Sequence, residues 1–263
     1  MHPLFQTYDT ASPAVRAQLE NTRRLWQNHL GPDLLAVYLH GSLSLGRFQE
    51  ENGDLDLLVL TARRLPRDER LAIARDLLDL DKHPCPLELS ALYIEDLRPW
   101  RHPAPCQFHY SGAWADHYEK LLSGDLSESF LLDTDFPDPD IACHVRLTRE
   151  RGIPLYGLPP QALLPAVPEA DFWQSISADL PDCDVLTLAR VLSYKHLGRI
   201  VSKYDAALWA MDIVPEKLRY LLENALQEKY LGKKGMTYDT DSLTALSRYL
   251  TAEIERKTND FIP

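Results

Sequence analysis

Two neighbouring stretches decide the fold of this chain: VYLHGS at residues 37–42 and GDLDLLV at residues 53–59. The apolar run 34–39 predicts a strand that ends in a turn at 40–46, where glycine and serine follow it directly. A second apolar run at 55–61 predicts a strand that is covered on both faces. The sequence therefore predicts two core strands, the first ending in a Gly-Ser turn and the second beginning with a pair of aspartates.

The turn and the aspartates have the chemistry of a metal and phosphate site. Asp54 and Asp56 are alternate residues, so their carboxylates face the same side with about 7 Å of rise between them. Mg²⁺ prefers oxygen ligands and usually takes one or two carboxylates plus substrate phosphates. Gly41 allows close backbone approach, and Ser42 supplies a hydroxyl beside the phosphates. The pattern predicts a triphosphate site that binds Mg²⁺. Two Mg²⁺ ions are expected if the reaction follows the two-metal mechanism of phosphoryl transfer.

A third strand is predicted over residues 86–93, with Glu88 between two leucines. Because successive side chains of a strand point to opposite faces, Glu88 points away from those leucines. A carboxylate beside a metal pair can take the proton of an attacking hydroxyl. Glu88 is therefore the predicted catalytic base, although a surface position on an edge strand would also explain it if it were considered alone.

The two halves of the chain differ in their periodicity. Residues 14–30 and 67–80 have helical patterns, which with the strands predict an α/β domain, a short mixed sheet with flanking helices. From about Asp138 onward helical periodicity dominates, with few strand signals, and predicts an all-α helical bundle. Five prolines crowd the segment 154–168 between them. We therefore predict domains over 1–157 and 158–263.

Composition and charge exclude several classes of protein. The formal net charge is -11, whereas a protein that coats nucleic acid needs clustered Lys and Arg to neutralise phosphates. No stretch reaches the roughly 18 apolar residues of a membrane span, and the N-terminal residues lack a signal-peptide core. The four cysteines are far apart without a CxxC pair, so we expect free thiols. We expect a cytoplasmic monomer with no nucleic-acid or membrane partner.

The spacing of VYLHGS and GDLDLLV resembles the signature of the polymerase-β-like nucleotidyltransferase superfamily. More narrowly, the chain resembles the aminoglycoside adenylyltransferases that modify streptomycin and spectinomycin. The further motifs that carry this likeness are PLEL at 86–89, RPWRHP at 98–103, the Gly-Ala-Trp ending at Trp114, LTLAR at 186–190 and GRIVSKYDAA at 198–207. The resemblance covers nearly the whole chain. It identifies the first domain as a nucleotidyltransferase domain.

The resemblance implies Mg²⁺-dependent transfer of AMP from ATP to a hydroxyl of a cationic aminoglycoside, with release of pyrophosphate and antibiotic resistance as the result. It also implies roles for individual residues. Asp54 and Asp56 hold Mg²⁺, and Glu88 deprotonates the drug hydroxyl. The triphosphate contacts are Gly41, Ser42, Arg190 and Lys203, and the acceptor contact is Trp114. Asp182 is a further candidate for contact with the cationic drug, with Asp184 as the alternative.

Departures from the family pattern bear on the acceptor. Gly53 stands where the family usually has serine, Ala113 stands where it has an acidic residue, and segment 179–184 lacks the Trp of streptomycin-modifying members. These departures favour spectinomycin over streptomycin. Two alternatives stay open: a nucleotidyltransferase for another sugar, a lincosamide-like drug or a protein hydroxyl, and a catalytically silent nucleotide-binding partner.

Overall fold

The computed structural model of this chain describes residues 5–125, 127, 136–178, 180–233 and 238–256. Its internal contacts divide the chain into two compact units, Met1–Ser175 and Ile176–Pro263. Within the described ranges, no helix has both the length and the apolar character that a membrane span requires.

A five-stranded mixed sheet forms the centre of the first unit. Its strand order is β5-β3-β2-β1-β7, with β2 and β3 parallel and the other neighbours antiparallel. Strands β4 and β6 form a separate antiparallel pair. The strands are β1 Leu34–Leu39, β2 Leu55–Thr61, β3 Leu87–Tyr93, β4 Ala104–Cys106, β5 Phe108–Tyr110, β6 Phe136–Asp138 and β7 Ile153–Gly157.

Helices cover both faces of this sheet. Those of the first unit are α1 Pro13–Leu30, α2 Gly41–Ser44, α3 Arg67–Leu80, α4 Gly112–Leu122, α5 Ile141–Arg151, α6 Pro160–Leu163 and α7 Glu169–Ser177. Leu57 and Leu89 belong to a core with Trp26 of α1, whereas Leu58 on the opposite face belongs to a core with Val145 of α5. The continuous apolar run of β2 is explained by this double coverage.

The structure confirms the predicted mixed sheet and corrects several local expectations. The segment 40–46, predicted as a turn, contains the one-turn helix α2, because the Leu45 N–H donates to the Gly41 carbonyl across 3.1 Å. Strand β7 lies in the part of the chain that was expected to be helical or linker, and it pairs with β1. The four cysteines are free thiols, as predicted.

The contacts place the boundary between the units later than the sequence does, after Ser175 rather than after residue 157. Three interactions attach the intervening segment to the first unit. The Trp100 indole N–H donates to the Asp171 carboxylate at 2.8 Å, and the Arg146 guanidinium lies 4.4 Å from the centre of the Phe172 ring. The Cys143 N–H donates to the Ser175 hydroxyl at 3.2 Å. Proline content alone does not reveal such contacts.

The second unit is helical where it is described, as predicted. Its helices are α8 Val185–Leu197, α9 Lys203–Ala210, α10 Arg219–Leu231 and α11 Thr240–Glu255. Helices α9, α10 and α11 each pack against α8. The Lys195 ammonium of α8 donates to the carbonyls of Glu253 and Arg256, at 2.7 and 2.6 Å, and so caps the C-terminal end of α11.

Candidate active site

The register of two parallel strands brings the predicted carboxylates together. Asp56 of β2 is the direct partner of Glu88 of β3. Partners on neighbouring strands point to the same face about 4.8 Å apart, so both side chains leave the sheet side by side. Asp54 precedes β2, and one carboxylate oxygen from each of the three residues lies within 4.8 Å of the others. Asp54 is exposed, while Asp56 and Glu88 are half-buried.

The loop before β3 is held in place by side chains from outside the sheet. The buried Gln18 amide of α1 donates to the Cys85 carbonyl at 2.6 Å and accepts from the Cys85 N–H at 3.1 Å. The Asp81 carboxylate accepts from the Leu87 N–H at 2.7 Å. The Leu55 N–H donates to the Pro86 carbonyl at 2.9 Å, which ties the first residue of β2 to this loop. These contacts fix the position of Glu88.

The Gly41 backbone lies directly against the Asp56 side chain. Gly41 has a φ of 66°, which L side chains rarely adopt, and an added Cβ would lie 1.6 Å from Asp56 Oδ2. The preceding His40 N–H donates to the Asp56 carbonyl at 2.9 Å. Glycine is therefore required at this position both by the backbone conformation and by the close approach of the carboxylate.

Ser42 provides an unsatisfied polar atom beside these carboxylates. Its Oγ is buried, and no described residue hydrogen-bonds to it. A buried hydroxyl without a partner costs free energy, so a ligand oxygen at this point would be stabilising. Phosphate oxygens meet this need, and the three carboxylates offer the hard oxygen ligands that Mg²⁺ requires. The residues present therefore fit Mg²⁺ and a phosphate chain.

Gly53, one of the departures from the family pattern, has a packing explanation. A Cβ at this position would lie 2.6 Å from the Gln49 carbonyl oxygen and 2.7 Å from Cε2 of the Phe48 ring. Phe48 is fully buried. The loop that leads to Asp54 is thus packed too closely for any side chain at residue 53.

Three histidines near the carboxylates were not predicted as site residues. The rings of His40 and His144 lie 5.2 Å apart, and His109 Nδ1 lies 3.1 Å from Oγ of Ser90. Burial lowers the pKa of His40 well below its ordinary value, and His144 lowers it further. Burial, again with His144, lowers the pKa of His109 to about 4. Both rings are therefore neutral near pH 7 and carry no positive charge.

Trp114 lies in α4 within a group of aromatic rings. It meets His109 edge-on at 5.6 Å and stacks on Phe136 at 6.1 Å between ring centres. The indole is half-buried and packs partly against the core. It can therefore contribute to the core and still present one surface to a ligand. Its assignment to the acceptor stays a prediction.

The second unit holds the remaining predicted residues. Lys203, the first residue of α9, donates to the Asp184 carboxylate at 3.0 Å. Burial favours the neutral form of Asp184, but Lys203 and the Thr187 hydrogen bonds outweigh it and bring the pKa to about 2. Asp182 is exposed at the end of the turn Leu180–Asp182, and Arg190 lies in α8. The assignments of Arg190 and Lys203 to the triphosphate and of Asp182 to the acceptor stay predictions.

Comparisons with known proteins show the family of this chain. Residues 162–253 match the family model of the aminoglycoside adenylyltransferase C-terminal domain. An aminoglycoside (3'')(9) adenylyltransferase of Klebsiella pneumoniae is 30% identical over 261 residues, which cover 92% of this chain and 95% of that protein. The chain belongs to the aminoglycoside adenylyltransferase family. A spectinomycin 9-adenylyltransferase of Staphylococcus aureus is 27% identical to this adenylyltransferase over 260 residues, 92% of this chain and 96% of that protein.

A solved structure supports the fold of this adenylyltransferase. The spectinomycin adenyltransferase from Enterococcus faecialis, crystallised with ATP and spectinomycin, superposes with a TM-score of 0.79. The match covers 92% of this chain and 99% of the crystallised chain at 21% sequence identity. The predicted architecture, an α/β domain followed by a helical domain, is confirmed by this likeness.

Proposed function

We propose that this adenylyltransferase transfers AMP from ATP to a hydroxyl of spectinomycin and releases pyrophosphate. The observation that carries the proposal is the convergence of Asp54, Asp56 and Glu88 within 4.8 Å, beside a Gly41 whose backbone touches the Asp56 carboxylate. Membership of the family supports an aminoglycoside acceptor. Antibiotic resistance is the expected consequence for a cell that contains the enzyme.

The turn after β1 holds the nucleotide tail in this proposal. Ser42 Oγ donates to a phosphate oxygen, which satisfies its buried hydroxyl. Because Gly41 has no side chain, the Asp56 carboxylate lies directly against the turn. Asp54 and Asp56 hold Mg²⁺, which supplies charge neutralisation at the phosphates when bound. Arg190 and Lys203 add cationic contacts to the β- and γ-phosphates.

Glu88 acts on the acceptor. Its carboxylate takes the proton of the drug hydroxyl, the oxygen forms a bond to the α-phosphorus, and the bond from that phosphorus to the bridging oxygen of the β-phosphate breaks. Pyrophosphate leaves with that oxygen. The half-buried position of Glu88 on a core strand fixes the direction from which the hydroxyl must approach.

The acceptor contacts are proposed from the aromatic and acidic residues. Trp114 presents one side of its ring to the drug, and the Asp182 carboxylate attracts its ammonium groups. Ala113 in place of an acidic residue, and the missing Trp in segment 179–184, remove contacts that a larger drug with more cationic groups would use. We therefore propose spectinomycin, and not streptomycin, as the acceptor.

Pyrophosphate release by the full chain tests this function. The purified protein is given ATP and Mg²⁺ with spectinomycin, streptomycin, other aminoglycosides and lincosamides in turn. We expect pyrophosphate release with spectinomycin. We also expect the mass of the drug to increase by that of one AMP group. Release with streptomycin alone would overturn the acceptor assignment. No release with any drug, while ATP still binds, would show that the acceptor belongs to another class.

The proposed metal role of Asp54 predicts an altered Mg²⁺ requirement. In Asp54→Asn, the Mg²⁺ concentration for half-maximal pyrophosphate release is expected to rise about tenfold, because one anionic oxygen ligand is lost. A Mg²⁺ titration at saturating ATP measures this shift. Glu51→Gln neutralises another exposed acid three residues earlier and is the matched control. Equal Mg²⁺ requirements in Asp54→Asn and the control would remove Asp54 from the metal site.

A further inference from the structure

We propose that Lys229 is a third cationic residue of the triphosphate site, acting with Arg190 and Lys203 on the β- and γ-phosphates. The inference deepens the proposed function and rests on it for the identity of the nucleotide. Lys229 lies near the C-terminal end of α10 and is not among the site residues that the sequence predicts.

A ring contact joins the two helices that carry Lys203 and Lys229. Tyr204 of α9 and Tyr230 of α10 meet edge-on, with 5.3 Å between ring centres. Lys203 is the sequence neighbour of the first ring, and Lys229 is the neighbour of the second. Tyr230 is buried, so the contact is fixed by the core of this unit. The start of α9 and the last turn of α10 are therefore held together.

Asp184 pairs with Lys203 and shares a groove with Lys229. Its carboxylate accepts from the Lys203 ammonium at 3.0 Å, and Asp184 and Lys229 both line a groove of about 420 Å³. The same carboxylate accepts the Leu186 and Thr187 N–H groups as the N-cap of α8. Glu228 also lines the groove, but the Tyr238 hydroxyl donates to it at 2.7 Å.

The charges near Lys203 favour an anionic ligand. Burial lowers the pKa of Lys203, and the positive charges of Arg190 and Lys229 lower it further, while Asp184 opposes them. The positive charges of Arg190 and Lys229 therefore act against that of Lys203, whose ammonium pairs with the Asp184 carboxylate. A polyphosphate brings several negative charges and would relieve this repulsion. A cationic aminoglycoside would increase it, which assigns Lys229 to the nucleotide side of the reaction.

Removal of the Lys229 charge in the full chain tests the inference. Lys229→Ala is expected to raise the KM for ATP about tenfold and to leave kcat within about twofold, since one charged hydrogen bond to a phosphate is lost. Lys229→Arg keeps the charge and is expected to restore the KM. Lys217→Ala removes an exposed lysine of the turn Glu216–Leu218 and is the matched control, with unchanged constants expected.

Binding of inorganic tripolyphosphate, measured by calorimetry, separates this inference from the proposed function. Its Kd is expected to rise about tenfold in Lys229→Ala, whereas the Kd for AMP stays unchanged. An unchanged tripolyphosphate Kd, or an equal loss of AMP affinity, would overturn the role of Lys229. Lack of spectinomycin adenylation by the unaltered protein would overturn the acceptor proposal alone, because tripolyphosphate binding does not involve a drug.

Discussion

Glu88→Gln is expected to lower kcat for adenylation by about 10³-fold, within the range for loss of a general base. Glutamine keeps the size of the side chain and its place opposite Asp56 on β3, but its amide does not take the proton of the attacking hydroxyl. Binding of ATP is expected to persist, because Ser42 and the second-unit cations are unchanged. Loss of turnover together with retained ATP binding would identify Glu88 as the general base.

Single-turnover pyrophosphate release and calorimetric ATP binding measure the two effects. Glu95→Gln is the matched control, since Glu95 is an exposed acid in the turn Ile94–Leu97 that follows the same strand. The control should retain the kcat of the unaltered protein. If Glu88→Gln turned over at the rate of the control, Glu88 would not be the general base, and its only remaining role would be as one of the three clustered carboxylates.

Gly41→Ala is expected to lower kcat/KM on the order of 10²-fold, because a displacement of about 1 Å in catalytic groups has an effect of this size. The added methyl would lie 1.6 Å from Oδ2 and 2.3 Å from Cγ of Asp56. Either the carboxylate or the turn must move. Both positions are used in the proposed reaction, so activity is lost in either case.

Gly46→Ala is the control that separates the steric clash with Asp56 from the free-energy cost of placing alanine at a positive φ. Gly46 has a φ of 72°, close to the 66° of Gly41, but its added Cβ would meet only Cγ2 of Thr7 at 3.4 Å. Both variants have a similar backbone cost of about 1 to 2 kcal/mol, seen as lower thermal stability. Only Gly41→Ala is expected to lose activity in the folded state. Similar activities of the two variants would contradict the role of the Gly41 and Asp56 contact.

The sequence predicted the elements that carry strong periodicity. The strand at 34–39 and the helix at 67–80 have the bounds that were expected, because an apolar run and helical spacing mark them along their whole length. Glu88 faces away from Leu87 and Leu89, as strand alternation requires. The pairing of Glu88 with Asp56 depends on strand order and register, which one sequence does not contain.

Short elements and tertiary contacts were missed for physical reasons. Strands β4, β5 and β6 have three residues each, too few to show a period of two. His109 therefore gave no signal, although its pairing with Ser90 places it near the site. Arg190 and Lys203 were assigned only through resemblance, since a lysine or arginine on a helix is usually a solvated residue. The proposal for Lys229 uses contacts between α9 and α10 that one sequence does not contain.

The parallel pairing of β2 with β3 limits how this enzyme can diversify. A slip of one residue would turn Glu88 into the core, and a slip of two would carry it roughly 7 Å along the sheet. The separation of the proposed base from the proposed metal ligands therefore changes only in large steps and not by small adjustment. A relative with this strand pairing is expected to share the proposed reaction geometry. New drugs must then be accommodated by changes in the residues around the acceptor, while the chemical step is kept intact.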